Sequence, residues 1–222
     1  MRSLPLPLAL TARLTPVAVL ACAGWALTSG PATPPAAAGH QTARQESSGS
    51  AAAQPSSTTA AKTYTAAPAP CSGVPAAIVK SLVPGAKTAG REIPSTDTAL
   101  RRTCSWNALQ GYDYRWLDVS FEISESDQEA GKEYEQRVGE KSGGGAVPGL
   151  GDSGYSVVNL TTEDKQQTRE GVVMARVANA LVIVTYSGSD FETKKAPGTD
   201  EINKGAIKAA KSAVAKLGGG QG

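Results

Sequence analysis

Between positions 29 and 70 the chain contains no Leu, Ile, Val, Met or Phe, and 34 of these 42 residues are Ala, Pro, Ser, Thr or Gly. A segment of that composition cannot bury enough apolar surface to offset the entropy lost on ordering it. Its six prolines stiffen it towards an extended spacer. Any core must therefore come from the first 28 residues or from residue 71 onwards. The expected organisation is a signal peptide or membrane anchor over 1–28, a disordered linker over 29–70, one domain over 71–217 and a flexible tail over 218–222.

Arg2 and Arg13 flank a Leu- and Pro-rich opening, after which Leu14 to Leu27 runs for 14 residues without a charge. A bilayer span needs roughly 20 such residues. The stretch instead suits the hydrophobic part of an export signal that follows a basic leader. Within it, Val19-Leu20-Ala21-Cys22 matches a bacterial lipobox, in which a small residue admits the peptidase and the Cys22 thiol takes the lipid. Leu20 is bulky for its place and Arg13 lies close upstream, so two other fates stay open. One is cleavage after Ala36-Ala37-Ala38, an A-x-A site. The other is an uncleaved signal anchor.

With Cys22 lipidated or removed, Cys71 and Cys104 remain as an even pair. An oxidising compartment closes such pairs. A loop of about 34 residues closed in this way is worth roughly 3–4 kcal/mol in the chain-entropy model.

Charge and histidine content exclude whole classes of function. Residues 1–70 carry Arg2, Arg13, Arg44 and Lys62 against Glu46, and the other 18 basic and 19 acidic residues leave the remainder at −1. A near-neutral domain lacks the clustered cations that nucleic acid requires. His40 is the sole histidine and lies in the linker, where it is read as solvated. Ser-His-Asp hydrolysis, Cys-His proteolysis and multi-His metal sites are thereby removed. No metal or cofactor is expected. Glu122, Glu125, Asp127, Glu129, Glu133 and Glu135 read as a solvated acidic surface.

The domain reads as alternating elements. Pro75–Leu82 is a short helix, with Ser72 as its expected cap. Strands are expected over 102–107 and 115–124, the second with Leu117, Val119, Phe121 and Ile123 on one face and Asp118, Ser120 and Glu122 on the other. A turn at Gln110–Asp113 makes them a hairpin. A charged helix over Asp127–Val138 and a glycine-rich loop over 143–151 follow. Further strands are expected over 155–160, 171–177 and 180–186; the last is apolar on both faces and so central. Asp200–Leu217 is a helix whose buried stripe is Ile202, Ala206, Ala210, Ala213, Val214 and Leu217. The fold class is α+β: an antiparallel sheet of about five strands with helices packed on one face.

Two motifs imitate catalytic signatures and a third a modification site. Gly151-Asp152-Ser153-Gly154 matches the core of a trypsin-like serine motif, but has no histidine to serve it. Gly149–Gly154 also fits G-x-G-x-x-G, yet it enters a strand where the dinucleotide fingerprint opens a helix. Both reduce to a tight turn in which Gly149 and Gly151 take positive φ and Asp152 bonds nearby backbone N–H groups. Asn159-Leu160-Thr161 fits a glycosylation sequon. Trp106, Tyr114 and Trp116 cluster about the first hairpin, either as packing residues or as an exposed binding surface for a sugar or a partner.

The lipobox-like Cys22, the linker, Cys71, Cys104-Ser105-Trp106 and Val147-Pro148-Gly149-Leu150-Gly151-Asp152 together resemble a family of actinobacterial envelope lipoproteins of unknown function. The likeness covers about residues 71–217. It implies a Cys71–Cys104 disulfide and supplies no catalytic residues. The function expected is a non-catalytic, extracytoplasmic, membrane-tethered binding or sensing module, with an envelope protein or small ligand as partner. The alternatives are an accessory lipoprotein docked on an envelope complex and a secreted hydrolase that uses carboxylates alone. Intact mass of the mature protein separates the three N-terminal fates. A chain starting at Cys22 with a diacylglycerol adduct, gaining a pair of hydrogen atoms on reduction, is the expected result; a start near Gly39 without lipid would mark a freely secreted domain.

Overall fold

In the computed structural model the described residues are 62–219. Cys22, His40, the leader, most of the linker and residues 220–222 lie outside them. The helices are α1 (Ala76–Leu82), α2 (Asp127–Gly139) and α3 (Thr199–Gly218), and a 3₁₀ turn spans Pro70–Ser72. The strands are β1 (Arg91–Ile93), β2 (Arg101–Gln110), β3 (Asp113–Ile123), β4 (Gly145–Ala146), β5 (Ser153–Glu163), β6 (Gln166–Val177) and β7 (Ala180–Asp190). The strands form one sheet in the order β1-β2-β3-β7-β6-β5-β4, with every neighbouring pair antiparallel.

The architecture is α+β, but the sheet has seven strands where about five were expected. The five long strands are those expected over 102–107, 115–124, 155–160, 171–177 and 180–186, each extended at one or both ends. The two additions, β1 and β4, have three and two residues, too short to display a period of two. β7 does occupy the centre of the sheet.

One face carries α3. Its Ile202, Gly205, Ala206, Ala209, Ala210, Ala213 and Leu217 are buried and join Leu117, Val119 and Phe121 of β3, Val173 and Ala175 of β6, and Val182 and Val184 of β7 in one core. The small residues let the helix lie close to the sheet: a Cβ on Gly205 would stand 2.6 Å from Cε1 of Tyr186. Tyr186 reaches past it, and its hydroxyl donates to the Leu82 carbonyl at the end of α1 at 2.8 Å. Burial pushes that hydroxyl's pKa up. Cys71 and Cys104 form a disulfide that joins the 3₁₀ turn to β2, with Cys104 fully buried.

The helices do not all lie on one face, which corrects the expected arrangement. The side chains of β6 alternate between two clusters: Val173 and Ala175 belong to the α3 core, while Val172 and Met174 pack with Val157, Ile183, Tyr134 and Val138 on the opposite side. Tyr134 and Val138 belong to α2, so α2 covers the second face. Ser126 caps it by accepting the Glu129 N–H at 3.1 Å. The acidic group is also not uniformly solvated. Glu122 is only 9% exposed and is held by Arg101 at 3.3 Å and Arg137 of α2 at 2.6 Å. Burying a carboxylate without such partners is costly.

Two boundaries also move. The Tyr64 N–H donates to Oδ1 of Asn179 at 2.8 Å, while Nδ2 of Asn179 donates to the carbonyls of Tyr64 (2.8 Å) and Ser124 (3.0 Å). The Ala67 N–H donates to the Ala99 carbonyl at 2.7 Å. Residues 62–70, assigned to the linker from composition, therefore run along the domain, held by these hydrogen bonds and by Ala67 and Tyr64 against the core. At the other end Gly218 is the last residue of α3 rather than the first of a tail. The helix expected at Pro75 forms, but Ser72 does not cap it; its hydroxyl donates to the Ala69 carbonyl.

Equilibrium urea unfolding tests this core. Replacing both Cys71 and Cys104 by Ser should lower stability by roughly 2–4 kcal/mol. Ile202→Ala should cost about 2–5 kcal/mol. Lys211→Ala, on the exposed side of α3, should change it by less than about 0.5 kcal/mol.

Candidate functional site

α2 shields only one end of the second face. Residues on that face contact it where they are apolar: Val157 in β5, Val172 and Met174 in β6, and Ile183 in β7. Further along the same strands the same parity supplies Asn159 and Thr161, Glu170 and Thr168, and Thr185, Ser187 and Ser189. No described helix packs on this part, which continues over β3, β2 and β1.

Register places the side chains here. Arg91 lies opposite Ser105, and Ile93 opposite Thr103. Thr103, Asn107 and Leu109 lie opposite Ser120, Trp116 and Tyr114. The Thr103 and Ser120 hydroxyls are hydrogen-bonded at 2.8 Å. The Trp116 indole N–H donates to Oδ1 of Asp118 at 2.7 Å, so two side chains of one face steady each other. Tyr114 meets Trp116 edge to face, with ring centroids 6.3 Å apart and an 88° interplanar angle. On its other side Tyr114 lies 6.0 Å from the ring of Phe191, just beyond β7. Burial and the nearby Asp118 carboxylate raise the Tyr114 hydroxyl's pKa, so it stays protonated at neutral pH.

This face is hollowed on either side of Ile93 and Pro94. One hollow of about 250 Å³ is lined by Arg91, Ile93, Pro94, Ser105, Asn107 and Trp116. Its neighbour, about 580 Å³, shares Ile93 and Pro94 and reaches Leu100, Arg101, Thr103 and Asp118. Trp116 remains 39% exposed, unusual for a Trp at mid-strand, and Phe191 remains 47% exposed. Ser105 is 8% exposed, and its hydroxyl is the only buried side-chain oxygen or nitrogen among the described residues without a hydrogen-bond partner. Buried hydroxyls nearly always have one.

Of the three aromatic residues singled out from sequence, Tyr114 and Trp116 come together here and Trp106 does not. Trp106 points to the α3 side, 1% exposed, and its indole N–H donates to the Thr88 carbonyl at 3.1 Å. Gly90, at φ +68°, lies against it; a Cβ there would stand 2.5 Å from Sγ of Cys104 and 2.6 Å from Nε1 of Trp106. Trp106 is therefore core, a correction that follows from parity: it lies two residues from the buried Cys104. Ser105, Asn107, Ile93 and Phe191 were missed. Ile93 sits on a strand too short to see, and Phe191 follows a turn, so neither shows in a periodic pattern.

The glycine-rich loop is a structural turn. Gly149 and Gly151 take φ of +69° and +63°. The Asp152 N–H donates to the Arg176 carbonyl at 2.8 Å, and Oδ2 of Asp152 accepts the Ala178 N–H at 2.7 Å. The turn thereby fastens the start of β5 to the β6–β7 hairpin. Ser153 is simply the first residue of β5. Among the described residues no three His, Cys, Asp or Glu side chains gather as a metal-ion site.

No family model matches the chain, and no curated protein matches it. Among solved structures, the extracellular domain of PknH from Mycobacterium tuberculosis is 10% identical, with a TM-score of 0.30 over 54% of this chain and 64% of that one. A structure from Bacteroides thetaiotaomicron is 9% identical, with a TM-score of 0.28 over 54% of this chain and 47% of that one. The chain thus spans less than two thirds of the length of either. Similarity at this level does not bear on what the chain does.

Chemical modification separates Trp116 from Trp106. Limiting N-bromosuccinimide followed by peptide mapping should oxidise Trp116 while Trp106 stays intact; comparable oxidation of both would contradict their placement on opposite faces.

Proposed function

We propose that this chain is a non-catalytic, extracytoplasmic binding module tethered to a membrane by its N-terminal segment, and that its ligand docks on the uncovered face of β1, β2 and β3. The observation that carries the reading is a hollow lined by Ser105, whose buried hydroxyl has no partner, beside the exposed Trp116 ring. Ligand sites combine an apolar surface with a few convergent polar groups, and this hollow has both. The Cys71–Cys104 disulfide supports a location outside the reducing cytosol. Among the described residues no helix is long and apolar enough to cross a membrane. The tether is therefore assigned to the leader, through lipid on Cys22 or through an uncleaved anchor. The order of Cys71, Cys104-Ser105-Trp106 and Gly149-Leu150-Gly151-Asp152 supports grouping the chain with actinobacterial envelope lipoproteins.

A carboxylate-only hydrolase is disfavoured by how the acids on this face are engaged. Glu122 is shared between Arg101 and Arg137, and Asp118 accepts the Trp116 indole N–H. Asp97, which lines the larger hollow together with Asp118, is engaged as well: its Oδ1 accepts the Ala99 and Leu100 N–H groups at 2.8 and 3.3 Å.

Site-specific photocrosslinking in the living host tests the docking face. A benzophenone amino acid at Phe191 should give adducts, and one at Lys211 on the exposed side of α3 should not. Adducts from position 211 with none from 191 would move the docking surface to the helical side.

A further inference from the structure

We propose that the ligand of this face is a neutral carbohydrate, stacked on Trp116 and hydrogen-bonded by Ser105, Asn107 and Asp118. The proposal rests on the docking face assigned above and names what occupies it.

Charge narrows the ligand first. The hollows hold Arg91 and Arg101 against Asp97 and Asp118, and Arg101 is already paired with Glu122. No cluster of like charge is left to select an anion or a cation, so a phosphate or sulfate polymer has no cradle here. The hydrogen-bonding groups narrow it next. The Ser105 hydroxyl both donates and accepts and no described residue uses it; buried as it stands, it reaches a ligand in the hollow by a turn about its Cα–Cβ bond. Asn107 lies two residues away on the same strand and face, exposed, with a carboxamide that also donates and accepts. Asp118 uses Oδ1 for the indole and retains Oδ2 as an acceptor. Donor–acceptor pairs set side by side match the adjacent hydroxyls of a sugar ring, each of which donates and accepts. An acyl chain would leave these groups unpaired at a cost.

The aromatic surface supplies the remaining complement. A pyranose has an apolar C–H face, and a flat aromatic ring is its natural counterpart. Trp116 is suited to this because its one polar atom is already satisfied by Asp118, so the ring is oriented before a ligand arrives and little entropy is lost on binding. Ile93 and Pro94 form an apolar ridge between the two hollows. A ligand lying over both would need more than one ring, which favours an oligosaccharide over a free monosaccharide.

The test uses the full chain, extracted from host membranes or from culture medium as the N-terminal fate dictates, on an array of microbial glycans with neutral and acidic members. Hits are titrated by intrinsic tryptophan fluorescence, with a heparin hexasaccharide as the charged comparator. The expected result is saturable binding of a neutral oligosaccharide that changes little between low and high salt. Trp116→Ala should weaken it about tenfold or more, and Trp116→Tyr should restore much of the loss, because a tyrosine ring still stacks. Asn107→Ala, at an exposed side chain without internal bonds, should weaken binding several-fold while leaving the melting temperature unchanged. Salt-sensitive binding to the acidic glycans alone would overturn the proposal. So would silence on the array together with a protein adduct from the crosslinker at position 191; that outcome keeps the docking face and removes the carbohydrate. Silence on the array with no adduct from 191 would remove both.

Discussion

A sheet whose central strand begins apolar on both sides has to be covered on both sides there, and the described residues supply one short helix for the second. α2 has 13 residues, a length of about 20 Å at 1.5 Å per residue. Seven strands spaced about 4.8 Å apart make a sheet of roughly 30 Å between its outer strands. α2 therefore shields one end of the face and leaves the rest to find another solution. Residue chemistry follows that limit strand by strand. Under the helix stand Val157, Val172, Met174 and Ile183; beyond it, at the same parity, stand Asn159, Glu170, Thr185 and Ser187.

The rest of the domain is arranged around keeping that half-covered sheet intact. Asn179 is fully buried in the β6–β7 turn and bonds to Tyr64 and to the end of β3, so one side chain links three separate stretches of chain. Asp152 fastens the β5 entry to the neighbouring residue, Ala178. The disulfide secures the opposite end, where β1 is too short to protect β2. These are polar and covalent ties at the corners of a core whose largest helix contributes mostly alanine and glycine. A core of small side chains gains close approach but buries less area per residue, so ties at the corners matter more.

Much of this was legible in the sequence, and the failures have physical reasons. Alternation at Leu117–Ile123 and the doubly apolar run of β7 located the long strands and the centre of the sheet. That same doubly apolar run already implied a second covering layer, and setting all the helices on one face ignored it. Trp106 was grouped with Trp116 because both flank one hairpin. Strand parity sends them to opposite sides: a Cys104 able to meet Cys71 in the interior commits Trp106 to the interior with it. Residues 62–70 carry few apolar side chains, yet Ala67 and Tyr64 reach the core and their backbone groups bond to the domain. β1, β4, Phe191 and the exposed hollows left no periodic trace, since each depends on contacts between segments distant in sequence.

Trp116, Tyr114 and Phe191, with Ile93 and Leu109, are exceptions to the polar rule beyond the reach of α2. Had the uncovered half only to stay soluble, serine, threonine and asparagine would serve throughout, as they do on β5 to β7. Three aromatic rings in contact, two of them well exposed, work against solubility and contribute little to a core they do not join. Ser105 works against stability in the opposite sense, as a buried hydroxyl without a partner where alanine would fit the same space. Each feature alone is a small cost to folding. That they adjoin one another, on a part of the sheet that no described helix covers, is what the proposed ligand would account for, by covering the rings and taking up the hydroxyl.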